Sequence, residues 1–251
     1  MEDKMNDDVG HILKRWKYNP NDINVRLIFG QDGKEKLQMR IDLGLLQMEL
    51  DGRPDGRRPH RFDSYLSFFE TRAQQTTLAG QEFKLKPDDC LHLQQESIQY
   101  YHRYLALMRL GDFARVVRDT QRNMRVFDFV AKHAPSEDIM WSFQQYRAYV
   151  LMMHTRARAA LSLEQENFDE ALRFIKIGIR DIQKFFKRYE EKLGEEPIEI
   201  DFLKQWLQEI KGKKPVPEHE RLAQELEIAV QNEDYEKAVI LRDRLRTMNR
   251  G

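Results

Sequence analysis

Eight arginines form the two groups of side chains in this sequence that could bind anions. The first group follows spacings of three, four and three residues, so its guanidinium groups would lie on one face of a helix. Its members are Arg115, Arg118, Arg122 and Arg125. Such a stripe could bind phosphates or an acidic protein segment through charge-assisted hydrogen bonds. Asp112, Asp119 and Asp128 lie nearby, so the alternative is a solvated helix face whose charge is partly balanced.

The second group lies in residues 51–61, DGRPDGRRPHR, where two Asp-Gly pairs and two prolines predict a loop. Its members are Arg53, Arg57, Arg58 and Arg61. The glycines could bring backbone N–H groups towards an anion. Alternatively, the arginines tie the loop to the helices that follow. Because the chain is neutral and rich in acidic residues, we expect carboxylates of the same chain to be the acceptors.

The sequence lacks the patterns that predict catalytic, cofactor or metal sites. Its histidines do not form HExxH or ExxH spacing, so a metal site has no support. A P-loop, a dinucleotide-binding fingerprint and a Gly-x-Ser-x-Gly elbow are all missing from the sequence. We therefore expect no catalytic residue, no cofactor, no metal and no enzymatic activity.

Several residues that could do chemistry are better explained by packing. His154 follows Val150 and Leu151, which predicts a hydrogen-bonded core residue, and Cys90 has no base beside it, which predicts an inert thiol. Three tyrosines could stack nucleic-acid bases, but their helical spacing beside apolar residues favours core packing. These are Tyr100, Tyr101 and Tyr104.

Composition narrows the class of protein. The chain has 251 residues, of which 33% are charged, and its formal net charge is zero. General nucleic-acid binders usually have a basic excess, so nucleic acid is not the favoured partner. The single cysteine excludes a disulfide framework and fits a reducing cytosol. No apolar run approaches the roughly 20 residues that span a bilayer, and no signal peptide is recognised. We expect a soluble cytoplasmic protein without membrane contact.

Residues 23–50 have the alternating pattern of β-strands. Apolar residues alternate with polar ones at Val25, Leu27 and Phe29, and again at Leu37, Met39, Ile41 and Leu43. Between the two runs, Gly30–Lys34 contains the residues that favour a tight turn. The pattern predicts a β-hairpin. Since an isolated hairpin is barely stable, its apolar face should cover helices or its edge should pair with another copy.

From about residue 63 to 210 the apolar spacing is helical. Asp88 or Asp89 is predicted to cap one helix, and Ser136 another. Residues 139–161 are predicted to form one long helix with a single apolar face that includes Tyr146.

One turn sequence occurs three times: a polar pair, an aromatic residue, two spacers and a small residue. The copies are Gly111–Val116, Glu166–Ala171 and Glu233–Ala238. This form resembles the turn within tetratricopeptide repeats, where the aromatic residue packs between antiparallel helices. The 55 residues between Phe113 and Phe168 exceed the 34 of that family. The resemblance implies long helical hairpins of a similar type, which stack into a scaffold.

Residues 220–248 have the pattern of two short helices around a polar turn. Each helix carries one narrow apolar stripe, and helices of this length are marginal alone, so the two need each other. The first arm, counted over residues 218–231, has four glutamates against Arg221 and a net charge of −3, and the second arm, counted over residues 235–250, has a net charge of +3. The opposite charges favour pairing within the hairpin or with a hairpin of a second chain.

This segment resembles the UVR motif, a helical hairpin of the bacterial excision-nuclease subunits UvrB and UvrC and of some Clp-protease partners. The match includes Tyr235-Glu236-x-Ala-x-x-x-Leu-Arg-Asp, although Glu233 and Val239 depart from the usual residues. The resemblance implies a bacterial protein and a hairpin that binds other proteins without catalysing a reaction. The implied partner-binding residues are Leu222, Leu226, Tyr235, Ala238, Leu241, Arg242, Asp243 and Leu245.

We therefore predict a mostly α fold in three parts. Residues 1–62 hold the β-hairpin and arginine loop, 63–212 a TPR-like helical body, and 213–251 a linker and the UVR-like hairpin. The predicted function is a non-enzymatic adaptor whose partner is another protein, with a UVR motif of its own or a second copy of this chain as candidates. The alternative is an accessory factor that acts near DNA through the arginine groups.

Overall fold

The computed structural model describes residues 8–215 and 218–248, apart from the side chain of Glu220. The chain forms two compact units, Met1–Leu207 and Gln208–Gly251. The fold is mostly helical, with a small antiparallel sheet near the N-terminus and a helical hairpin at the C-terminus. The predicted fold class is confirmed. In the described part, no helix is long and apolar enough to cross a membrane.

The sheet has three strands: β1 (Asn24–Phe29), β2 (Glu35–Ile41) and β3 (Gly44–Glu49), in the order β1-β2-β3. The predicted hairpin corresponds to β1 and β2. The sequence interpretation missed β3, because it continued the alternation through Leu43, which instead lies in the turn between β2 and β3 and is exposed.

The apolar residues of the sheet are buried only in part. Leu37 pairs with Leu27 on β1 and with Met48 on β3, and Leu37 and Met48 are buried. Leu27 and Phe29 lie on the outer strand and are exposed, Phe29 by 76%. The first alternative, an apolar face that covers helices, therefore agrees with the centre of the sheet but not with its β1 edge, and pairing of that edge with another copy stays a prediction. Contacts of β1 and β2 with helix α3 (Pro87–Leu110) join the sheet to the body.

Polar side chains link the strands on the opposite face. Arg26 Nε donates to Gln38 Oε1 at 2.9 Å, and Gln38 Nε2 donates to Gln47 Oε1 at 2.9 Å, so one ladder crosses all three strands. The segment after α1 (Gly10–Arg15) contacts this face, where the Trp16 ring lies 4.2 Å from the Arg26 guanidinium. Arg40 Nε also donates to the Trp16 carbonyl at 3.2 Å.

The body contains α2 to α8 and the first part of α9. After a short 3-10 turn at Pro59–Arg61, the helices are α2 (Tyr65–Leu78), α3, α4 (Phe113–His133), α5 (Glu137–Gln144), α6 (Arg147–Glu164), α7 (Phe168–Arg188), α8 (Glu190–Leu193) and α9 (Ile198–Lys213). α3 contacts α4, α4 contacts α6, and α6 contacts α7. The core of α2, α3 and α4 is centred on Phe69, Leu93 and Val126, and α5 and α6 add Phe143 and Val150.

Two helix boundaries differ from the predictions. Lys86 is the N-cap of α3, and Pro87 begins the helix, so neither aspartate is the cap. Asp89 instead accepts a hydrogen bond from the Lys86 backbone N–H at 2.9 Å. The predicted long helix is interrupted between α5 and α6 at residues 145–146. Neither position holds Gly or Pro, so the sequence carries no local signal for this break. Ser136 caps α5, as predicted.

The three repeated turns have the same backbone geometry. In each, one residue adopts positive φ, namely Gly111 (79°), Glu166 (56°) or Glu233 (57°). The next residue, Asp112, Asn167 or Asp234, returns its N–H to a carbonyl five residues earlier, the hydrogen bond of a Schellman motif. Its side chain then caps the following helix. Each repeat therefore ends one helix and begins the next within two residues.

α6 and α7 approach each other closely at Gly178. A methyl group added there would lie 2.1 Å from Thr155 Oγ1 and 2.8 Å from Thr155 Cβ. We expect Gly178→Ala to lower the free energy of unfolding by about 1–3 kcal/mol through overpacking, although alanine favours a helix by about 1 kcal/mol. Urea denaturation measures the change.

The matched control is Gly212→Ala in α9, where an added methyl group meets open space. That change should raise stability by up to about 1 kcal/mol. Thr155→Ala should partly rescue Gly178→Ala, because it removes the two nearest atoms and leaves Cβ. Equal effects of the two glycine substitutions would contradict the close approach.

Candidate functional site

The C-terminal hairpin consists of α10 (Glu218–Gln231) and α11 (Tyr235–Met248), which contact each other. Its buried core is small and consists of Leu222, Ala229, Ala238 and Leu241, with Leu226 and Leu245 packed against it. Five of the eight predicted partner-binding residues therefore lie in or against the core of the hairpin. They build its fold, and their predicted contacts with a partner stay a prediction.

The Tyr235 ring is more exposed than its position in the repeated turn predicts. In the position of a wedge between two helices, its ring should be largely buried, but it is 66% exposed. The corresponding aromatic residues of the other two turns, Phe113 and Phe168, are half-buried. The small residue that follows Tyr235 by three positions, Ala238, is buried and supplies the predicted close approach. Removal of the Tyr235 ring should therefore cost far less stability than a buried aromatic residue would.

The outer surface of the hairpin presents apolar and charged side chains side by side. Arg242 and Asp243 are exposed and pair with each other at 3.0 Å. The exposed apolar side chains are Ile228, Val230, Tyr235, Val239, Ile240 and Met248. The sequence analysis did not identify most of them as partner-binding residues, because they lie outside the apolar stripe that forms the hairpin core. Tyr235 and Val239 are four residues apart, so they share one face of α11.

Residues 218–249 match the UvrB/uvrC motif. The hairpin is a UVR motif. The match covers α10 and α11 with residue 249, which lies outside the described residues, and includes the repeated turn at Glu233–Ala238. Searches among curated proteins and among solved structures found no match. The resemblance of the body to tetratricopeptide repeats stays a prediction.

The two arginine groups meet in the structure. Asp51, in the loop, accepts hydrogen bonds from Arg118 at 2.6 Å and from Arg115 at 3.4 Å. Arg125, further along α4, binds both carboxylate oxygens of Glu70 on α2 at 2.8 Å. The guanidinium groups of this stripe therefore contact carboxylates of the same chain. Their predicted use for phosphates or an acidic partner stays a prediction.

Two fully buried carboxylates, those of Asp119 and Glu96, each form ion pairs with arginine side chains. Arg103 on α3 and Asp119 on α4 are both 0% exposed and form two hydrogen bonds, at 2.6 Å and 2.9 Å. Arg103 also donates to the carbonyl of Glu49 at the end of β3, at 2.9 Å. Arg118 binds the same aspartate at 2.9 Å and the Leu50 carbonyl at 2.7 Å. One buried carboxylate thus connects the sheet, α3 and α4.

Glu96 on α3 is the second centre. Its carboxylate accepts the backbone N–H of Tyr65 at 2.8 Å and that of Leu66 at 3.3 Å, which fixes the beginning of α2. Arg122 donates to the same carboxylate, and Arg53 from the loop lies 3.5 Å away. Burial, together with the nearby charges of Arg53 and Arg125, lowers the pKa of Arg122 to about 9.

The remaining loop arginines are peripheral. Arg58 pairs with Asp63 at 2.8 Å on the surface, and Arg57 and Arg61 are exposed. The expectation of internal acceptors therefore agrees with the contacts of Arg53 and Arg58, and Arg53 alone reaches the buried network.

The sequence interpretation missed Arg103, Glu96 and the role of Asp119. A signal was present, since Glu96 and Arg103 are seven residues apart on the same face as Leu93, Tyr100 and Tyr104. Charged residues at core positions of an amphipathic helix require buried partners. That pattern predicts an ion-pair network but does not identify which carboxylate or arginine completes it.

The other candidate residues agree with packing roles. Cys90 is buried, and burial raises the pKa of its thiol to about 11, as expected of an unreactive cysteine. His154 Nδ1 lies 3.0 Å from Thr120 Oγ1. Tyr100 and Tyr104 are buried and Tyr101 is half-buried, in agreement with core packing. Among the described residues, no group of three or more His, Cys, Asp or Glu could hold a metal ion.

Proposed function

We propose that this protein is a non-enzymatic adaptor that binds a protein partner through its UVR hairpin. The observation that carries the proposal is the exposure of six large apolar side chains on a hairpin whose own core is only a few residues wide. Clusters of exposed apolar residues beside polar ones are typical of protein interaction surfaces. Burial of this surface against a partner would stabilise the hairpin and the complex together.

Charge favours a helical partner of the same kind. The net charge is −3 over residues 218–231 and +3 over residues 235–250, so each arm can face the oppositely charged arm of a second UVR-type hairpin. Because exposed ion pairs contribute only about 0.2–1 kcal/mol each, the charges would set orientation while the apolar residues provide affinity. The second hairpin belongs to another protein or to a second copy of this chain.

A role beside DNA is the competing proposal. It rests on the association of the motif with excision nucleases and on the arginine groups. The contacts of Arg115, Arg118 and Arg125 with Asp51 and Glu70 support the adaptor proposal instead, because phosphate binding would have to compete with these carboxylates. Phosphate contacts would give DNA affinity that falls steeply as salt increases.

The test removes the exposed surface without disturbing the hairpin core. We expect Tyr235→Ser combined with Val239→Ser to abolish partner binding while helicity and melting temperature stay unchanged, since both side chains are exposed. Affinity purification of the tagged full chain from cell extract identifies the retained proteins, and sedimentation measures self-association.

The matched control is Leu78→Ser, which changes an exposed apolar residue of α2 and should leave binding intact. Deletion of residues 213–251 should remove the same partners as the double substitution. The adaptor proposal is wrong if the double variant retains every partner of the unmodified chain. DNA binding with a steep salt dependence would instead support the competing role.

A further inference from the structure

A pocket of about 450 Å³ lies among α3, α4, α5 and α6, away from the arginine network. This volume falls in the range of about 300–1,000 Å³ that is usual for small-molecule sites. Six aromatic rings line it: Tyr101, Tyr104, Phe127, Phe143, Tyr146 and Tyr149. The rings come from several helices, so the pocket is a product of the tertiary fold.

The wall of the pocket carries no ionised side chain among the described residues. Its thirteen lining residues include no Asp, Glu, Lys or Arg, although 33% of the chain is charged. Burial favours the neutral forms of three groups in the wall: it lowers the pKa of His102 and raises the pKa values of Tyr104 and Tyr149, the last to about 12. These shifts agree with a poorly hydrated site.

Several polar atoms in the wall already have partners. Ser97 Oγ donates to the Leu93 carbonyl at 2.8 Å, and Ser142 Oγ donates to the Ile139 carbonyl at 2.7 Å. Asn123 Nδ2 donates to the Ser97 carbonyl at 3.0 Å. The surface offered to a ligand is therefore more apolar than its residue types suggest. Gln94 and His102 add a small number of polar groups to the wall.

The pocket is accessible from solvent. Ile98 on α3 is 49% exposed, and Tyr146, at the break between α5 and α6, is 55% exposed. Both belong to the lining of the pocket. Tyr146 lies at the interruption between α5 and α6 and forms part of the exposed rim of the pocket.

We propose that this pocket binds an uncharged small organic molecule that contains an aromatic ring. An ionised ligand would lose its hydration and find no opposite charge in the wall, which is costly. A neutral ring would bury apolar area and stack on the surrounding tyrosine and phenylalanine rings. This site is separate from the UVR hairpin, and the proposal does not depend on the adaptor function.

The test uses two dyes that differ by one sulfonate group. N-phenyl-1-naphthylamine is neutral, and 1-anilinonaphthalene-8-sulfonate carries a negative charge. In fluorescence titrations of the full chain, the neutral dye should bind saturably at one site per chain. We expect the sulfonate to bind at least about tenfold more weakly, because its charge must be desolvated without a counter-charge.

Ile98→Arg provides the site-specific variant, and Leu91→Arg is its matched control. Both residues lie on α3 and are about half exposed, at 49% and 53%, but Leu91 does not line the pocket. Both variants should keep the melting temperature of the unmodified chain. Ile98→Arg should weaken binding of the neutral dye at least about tenfold by placing a charge at the pocket, whereas Leu91→Arg should not.

The dye results decide the proposal in either direction. Equal affinity of the unmodified chain and Ile98→Arg for the neutral dye would place binding elsewhere and overturn it. Equally tight binding of the sulfonate would overturn the requirement for a neutral ligand. If Ile98→Arg loses stability, Tyr146→Lys at the other exposed position replaces it, with the same expected loss of dye affinity.

Discussion

Asp119→Asn should lower the free energy of unfolding by about 3–5 kcal/mol, the largest stability change that we expect in this protein. The substitution leaves the guanidinium of Arg103 buried at 0% exposure without its counter-charge. It also weakens the contact with Arg118, which holds the loop carbonyl of Leu50. Urea denaturation followed by circular dichroism measures the change.

A double substitution separates the loss of the ion pair from a general packing defect. Adding Arg103→Met to Asp119→Asn removes the orphaned charge, so the double variant should be more stable than Asp119→Asn alone. The matched control is Asp63→Asn, which breaks the exposed pair with Arg58 and should leave the denaturation curve unchanged. A double variant no more stable than the single one would show that the buried pair is not the cause.

Leu241→Ala should unfold the UVR hairpin and abolish partner binding. Leu241 is 4% exposed and is one of four buried residues in the hairpin core. Buried Leu→Ala changes cost about 2–5 kcal/mol, more than two short helices with so small a core can lose. Circular dichroism should show a loss of helicity no larger than the share of α10 and α11, and the main melting transition should remain.

Ile240→Ala is the matched control for this prediction. Ile240 adjoins Leu241 in sequence but is 57% exposed, so its truncation should preserve the hairpin. A comparison of binding in the two variants distinguishes loss of the hairpin fold from loss of one surface side chain. Full helicity and normal partner binding in Leu241→Ala would contradict the proposed dependence of docking on the hairpin core.

The sequence by itself located most helices, the N-terminal strand pair and the UVR hairpin. It also predicted the three repeated turns, whose hydrogen bonds each join residues no more than five positions apart. Such features depend on neighbouring residues: Asp112, Asn167 and Asp234 cap the following helices through contacts within three residues. Short-range interactions of this kind are specified locally, so they can be predicted without the fold.

The tertiary structure decided which polar groups are buried and which apolar groups are exposed. Arg103 meets Asp119 across 16 residues and the Glu49 carbonyl across 54. The arginine stripe has the same spacing whether it faces water or a buried carboxylate. Helical periodicity therefore could not distinguish a solvated stripe from one that is paired within the chain.

The same limit applies to Tyr235 and to the aromatic pocket. Periodicity predicts that a side chain lies on the apolar face of its helix, but burial requires a second element at the right distance. That element covers Ala238 and leaves Tyr235 exposed. Since the helix break at Tyr146 has no breaker residue, its position depends on packing against the other helices. Long-range packing therefore determined the candidate sites, while local sequence determined the elements that carry them.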